Sequence, residues 1–201
     1  MFPTFFIPGG SDPFPLALTL VNAGFEDQSP GTITGWTNDT AASPQVVPAS
    51  ALSIPWPGNQ FLVGGQLGDP AMQIHQDIDL TAGANYVDPA YIDAGLLQIT
   101  AVWWAGCAST AVNGQPRLLL QYFNGSMGSL GSDTEGYLTP VNSCGTYIST
   151  ATAAEFDEET HGPYPIPAGT RTIRLQLNGN LGSGSGSDAM FDDIRLTISR
   201  A

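Results

Sequence analysis

The sequence predicts an all-β fold in which two antiparallel sheets pack face to face as a sandwich. Three observations lead there. Only 11% of the 201 residues are charged, while 24 glycines and 16 prolines punctuate the chain, a composition of many short strands joined by turns. No stretch holds a helical apolar period over about a dozen residues without Gly or Pro interrupting it, which excludes a helix-rich fold. Runs such as Leu96 to Trp104 read instead as strands. A chain of this length forms one core, and no second domain is required.

Taken in order, the elements begin with an extended, proline-rich N-terminal arm over residues 1–17, ahead of a sandwich over residues 18–201. Prolines at positions 3, 8, 13 and 15 exclude helix, and Phe2, Phe5, Phe6 and Phe14 require burial. Two readings are open: the arm folds back on its own sandwich, or these four aromatics anchor it on a neighbouring subunit. Without a basic start or an unbroken apolar stretch, the segment does not read as a secretory signal. Strands are expected near residues 16–22, 45–54, 60–64, 73–80, 96–104, 117–123, 146–151, 172–177 and 190–198. That number suits a two-sheet jelly roll, which pairs most of its edges. SPGTITG, SIPWPGN, FNGSMGSLGSD and NLGSGSGSD are turn-rich connections, and TAGANYVDPAYIDAG holds a short helical or irregular turn.

The charge balance excludes one class of partner. Eighteen acids face five bases, for a formal net charge of −13, and all five bases are arginine: Arg117, Arg171, Arg174, Arg195 and Arg200. Dispersed arginines in an acidic chain provide no groove that would displace counterions from phosphates, so nucleic acid is not a partner. The acidity suits solubility and divalent cations. No apolar run approaches the roughly 20 residues that a membrane span needs. The Gly179–Asp188 loop alternates glycine and serine but lacks the lysine and following helix of a phosphate loop.

Candidate chemistry lies at the chain ends and in the aromatics. LVNAGFED (20–27) and DAMFDDIRLTI (188–198) each set carboxylates beside an apolar, strand-forming stretch. If these form the first and last strands, Glu26 and Asp192 meet around a shared cation. Calcium takes several hard oxygen ligands, carboxylates and carbonyls among them. Sugar stacking needs an exposed ring, and Trp56, held between Pro55 and Pro57, Trp104 and Tyr91 are the candidates. Trp103 and Trp104 must face opposite ways along a strand, one into the core and one outward. Trp36, after Gly35, reads as a core residue. Cys107 and Cys144 either bridge or remain two buried thiols. His75 falls in a strand, and His161 closes the acidic segment EFDEETH, read as a solvated loop with an extra cation site as the alternative. No nucleophile stands in a recognisable catalytic motif, so the chain is read as non-enzymatic.

Together, LVNAGFED, GW at 35–36, QDIDL at 76–80, IDAGLLQITAVWWAG at 92–106, RLLLQYF at 117–123, IPAGTRTIRLQL at 166–177 and the closing DAMFDDIRLTI make the chain from Leu20 to Ile198 resemble the galactose-binding-like jelly rolls, which include many carbohydrate-binding modules. The resemblance implies a structural calcium between Glu26 and Asp192. It also implies a binding role, since such sandwiches often take sugars. Two functions are carried forward. One is a virion-type component, a phage head decoration or tail protein anchored by its arm on other subunits, with glycans as a further partner at a virion or extracellular surface. The other is a free carbohydrate-binding module or lectin.

Overall fold

A computed structural model describes residues 12–29, 32–40, 44–48, 58–64, 72–107, 116–133, 155–179 and 189–201. Among these, thirteen strands run in chain order: β1 (Leu16–Ala17), β2 (Gln28–Ser29), β3 (Thr32–Ile33), β4 (Thr37–Asn38), β5 (Gln45–Pro48), β6 (Gln60–Val63), β7 (Met72–Asp79), β8 (Leu97–Cys107), β9 (Pro116–Phe123), β10 (Ser129–Ser132), β11 (Glu155–Pro165), β12 (Thr172–Gly179) and β13 (Ala189–Arg200). One sheet has the order β11-β8-β13-β6-β5, with β1 also on β13, and the other has the order β10-β9-β12-β7-β4. Every pairing is antiparallel. This is the all-β two-sheet sandwich that the composition and alternation imply.

The core forms because each long strand buries every second side chain. Leu97, Ile99, Ala101 and Trp103 of β8 and Phe191, Leu196 and Ile198 of β13 face Leu118, Leu120 and Tyr122 of β9, Ile173, Leu175 and Leu177 of β12, and Ile74 and Ile78 of β7. Trp103 stacks on Phe191 with ring centres 5.6 Å apart. Trp104 takes the opposite face of β8, half-buried and in register with Glu158 and Asp192. Trp36 is half-buried, 5.5 Å from the Phe25 ring.

Between β7 and β8 the chain makes a 3-10 turn (Gly83–Asn85) and the helix α1 (Pro89–Asp93). Asp88 caps α1 by accepting the Ala90 N–H at 2.9 Å, with Pro89 in the first helical position. These elements lie where the sequence suggests a helical turn.

Two segments correct the sequence reading. EFDEETH is not a solvated loop but the first part of the edge strand β11, paired with β8 from Glu155 opposite Cys107 to Pro165 opposite Gln98. Its acids conceal the alternation: Glu158 is exposed, whereas Glu159 turns inward beside Trp103 and is buried. FNGSMGSLGSD contains β10, which pairs with the end of β9. The strand expected at 146–151 falls outside the described residues.

The boundary drawn after residue 17 also shifts. Leu16 and Ala17 already pair with Ile198 and Thr197, and the Leu18 N–H donates to Leu196 O at 2.9 Å. Phe14 meets Tyr91 edge-on at 5.4 Å, and the Arg200 guanidinium lies 5.9 Å from the Phe14 ring and 5.1 Å from the Tyr91 ring. Arg200 also pairs with Asp12 at 3.1 Å. Phe14 therefore packs on its own sandwich. Phe2, Phe5 and Phe6 lie outside the described residues.

Candidate functional site

Among the described residues the edge of β7 beyond the end of β4 builds a concavity. Along this strand Met72, Ile74, Gln76 and Ile78 turn inward, leaving Gln73, His75, Asp77 and Asp79 on the outer face. The main chain alternates too, because in an antiparallel sheet each residue directs its N–H and C=O to one neighbour and the next residue to the other. Leu80 donates its N–H to Arg171 O on the β12 side (2.8 Å), whereas Gln73 O accepts the Asp39 N–H on the β4 side (2.8 Å). His75, Asp77 and Asp79 are therefore turned toward β4. Yet β4 reaches only as far as Thr37, opposite His75.

Gly35 is the reason the pairing stops. At φ +82° it turns the chain away where residue 35 would meet Asp77, in a region that disfavours other residues. The diverted chain is held by amide side chains in place of a strand ladder. Gln76 donates Nε2 to Val21 O (2.9 Å) and Gly35 O (3.0 Å), and its Oε1 accepts the Val21 N–H at 2.8 Å. Asn85 does the same for Thr19, accepting its N–H at 2.6 Å and donating to its carbonyl at 2.9 Å. The result is a notch of about 420 Å³ bounded by Thr19 and Val21, by Gly35 and Thr37, by His75 to Asp79, and by Ala82 to Asn85. Among the described residues the main-chain groups of Asp77 and Asp79 have no strand partner on this side, and they face into the notch.

Its polar side chains are fixed. His75 Nδ1 lies 2.9 and 2.7 Å from the two Asp39 carboxylate oxygens, which orients the ring. Asp77 takes Arg174 in a fork, Nε at 2.7 Å and Nη2 at 2.9 Å, and the guanidinium holds its carboxyl below the usual range. Asp79 accepts Thr81 Oγ1–H at 2.6 Å and Thr81 N–H at 2.7 Å, bonds that lower its pKa while ending the strand in a tight turn. Tyr86 follows Asn85 directly and is 54% exposed. None of these residues is among the expected sugar-binding ones. The only signal for them is the QDID alternation, which places two acids on one face of a strand.

The expected sites fare differently. Glu26 and Asp192 are brought together: a Cβ added at Gly58 would collide with Glu26 Oε1 and lie 3.1 Å from Asp192 Oδ2. Asp192 is completely buried and accepts the Asp193 N–H at 2.8 Å, while Glu26 Oε1 accepts the N–H groups of Asn59 (2.5 Å) and Gln60 (3.1 Å). Among the described residues no cluster of three or more acids, histidines or cysteines forms around any point. A hard cation at this pair would therefore need carbonyl oxygens and water beside the two carboxylates. The donor chemistry fits calcium on those terms.

Tyr91 is half-buried, its ring covered by Phe14 and Arg200, which also donates to its hydroxyl at 3.4 Å. Trp56 and Cys144 lie outside the described residues, as does the side chain of Cys107. No helix among the described residues is long and apolar enough to cross a membrane.

Comparison with solved structures gives the same fold at low identity. A Stig cyclase from Fischerella sp. TAU superposes with a TM-score of 0.56 at 19% identity, over 93% of this chain and 99% of that one. The enzymatically active domain of bacteriophage CBA120 tailspike protein 4 gives 0.51 at 12% identity over 90% of this chain, which spans 21% of the tailspike chain's length. A structure from a study of carbohydrate-binding modules of the β-sandwich superfamily gives 0.50 at 13% identity, over 86% of this chain and 60% of that one. No protein-family model and no curated protein matches the chain. These likenesses fix the jelly-roll sandwich as the fold.

Proposed function

We propose that this sandwich is a non-catalytic glycan-binding protein and that the notch beside β7 is its binding site. The observation that carries the reading is the notch itself, a concavity of about 420 Å³ in which main-chain groups, hydroxyls, an imidazole and carboxylates converge, with the exposed Tyr86 next in the chain to its Asn85 wall. Sugars are bound by such groups acting on hydroxyls, with an aromatic ring against the apolar face. Carbohydrate binding by modules with this fold supports the same reading.

Screening a glycan array and then titrating hits by calorimetry tests it. Tyr86→Ala and His75→Ala are each expected to weaken a hit by about tenfold, the scale of one lost contact, with an unchanged melting temperature. An array without hits, or hits indifferent to both substitutions, refutes the assignment.

A virion role is the more specific form of this reading. The fold likeness to a phage tailspike domain favours it, with Phe2, Phe5 and Phe6 as the residues that would anchor on another subunit. We assign Glu26 and Asp192 to a structural calcium, which would tie the Ala23–Glu26 segment to β13. Calcium added to chelator-stripped protein is expected to raise the melting temperature by about 5 °C. An unchanged melting curve removes the ion from the scheme.

A further inference from the structure

We infer that the notch takes uncharged sugars and rejects their acidic counterparts. The inference rests on the glycan reading and concerns which glycans the site admits.

The wall at β7 carries three outward side chains, His75, Asp77 and Asp79, and their charges do not cancel. Asp77 is neutralised by the forked Arg174. Asp39 is matched by His75 only when the imidazole is protonated, so that pair contributes either nothing or one negative charge. Asp79 takes only the hydroxyl and N–H of Thr81, both uncharged. The site is therefore negative in either state of His75.

Little elsewhere offsets this. The chain has no lysine, and of its five arginines Arg171 is forked on Asp93, Arg195 is paired with Glu158 and Asp193, and Arg200 is paired with Asp12. What the notch offers a hydroxyl is nevertheless ample. His75 Nε2 has no protein partner among the described residues, and the alternation of β7 turns the N–H and C=O of Asp77 and Asp79 inward, a donor and an acceptor from each residue. A hydroxyl both donates and accepts, so it can use either kind of group. A sugar carboxylate only accepts and adds a second like charge a few ångströms from Asp79. At about 5 Å from an exposed carboxylate, where the effective dielectric lies nearer to water's than to a buried site's, repulsion amounts to about a tenfold loss of affinity.

The test uses the full chain and pairs of methyl glycosides that differ only at C6, methyl galactoside against methyl galacturonide and methyl glucoside against methyl glucuronide, titrated by calorimetry or ligand-observed NMR. The neutral member of at least one pair is expected to bind about tenfold more tightly than its acid. Asp79→Asn, which keeps the Thr81 contacts but removes the charge, should close most of that gap, read as the ratio of neutral to acid affinity within the same variant. Equal or tighter binding of the uronide by the unmodified protein overturns the inference while leaving glycan binding intact. So does an undiminished gap in Asp79→Asn. Binding of neither member of any pair, with no hit among longer neutral glycans, overturns the glycan reading and this inference with it.

Discussion

Asp77 illustrates what one side chain does in this protein. The Arg174 guanidinium lowers its pKa, so the folded state favours the ionised carboxylate more than the unfolded chain does. A depressed folded pKa stabilises above the unfolded value near 4 and loses that stabilisation as pH falls through the folded value. Both partners are about a third exposed, so the contribution is no more than about 1 kcal/mol. Asp77→Asn should therefore be slightly less stable than the parent at pH 7 and equally stable at pH 2, as read by urea denaturation at the two pH values. Gly35 matters through its backbone. A methyl group there would approach Val21 Cγ1 to 2.5 Å at φ +82°, and Gly35→Ala is expected to cost about 1–3 kcal/mol and to abolish ligand binding. Equal stability would mean that the wall at Val21 moves aside. The two residues also mark how far the site was legible. Glu26 and Asp192 could be paired in advance because LVNAGFED and DAMFDDIRLTI, near opposite ends of the chain, each set carboxylates beside a strand-forming stretch. His75, Asp77 and Asp79 could be placed on a strand, but their shared notch depends on where β4 turns away, and that is decided by one glycine forty residues upstream of His75.

At the scale of elements, β8 and β13 are the joint of the molecule. They run side by side from Leu97 opposite Arg200 to Cys107 opposite Ala189, with one irregularity between Asp192 and Arg195. Inside the sandwich Trp103 and Phe191 stack across them. Truncating either ring to alanine should cost about 3–5 kcal/mol, and the double variant should cost about 1 kcal/mol less than the sum, because the second loss no longer breaks a ring pair. Strict additivity in denaturant titrations would show the stack to be geometric only. The long strands were legible because alternation over eight or more residues survives one exception. β11 was not, because Asp157, Glu158 and Glu159 follow one another and Gly162-Pro163 interrupts the pattern. An edge strand tolerates both features, and among the described residues β11 has one side without a ladder. The two-residue strands β1 to β4 carry too little sequence to show any period.

For the molecule as a whole, the described part of the proline-rich start is joined to the sandwich. Residues 12–18 belong to the fold through the Asp12–Arg200 pair, the Phe14–Tyr91 contact and the pairing of Leu16–Ala17 with β13. Removing residues 1–11 keeps these contacts and should leave the melting temperature within about 2 °C of the parent, whereas removing residues 1–17 should lower it by several degrees, about 1–2 kcal/mol for a chain this size. Equal melting of the two truncations would mean that β1 adds nothing. The pairing of Leu16 with Ile198 has a further consequence for how this sandwich can be joined to other chains. The chain enters and leaves at one corner, on neighbouring strands about 4.8 Å apart. The sandwich thus behaves as a closed ring with a single clasp. A host protein can carry it as an insertion in any surface loop whose two stems already lie side by side, and a linker of a few residues across the clasp would allow the ring to be cut open at another turn.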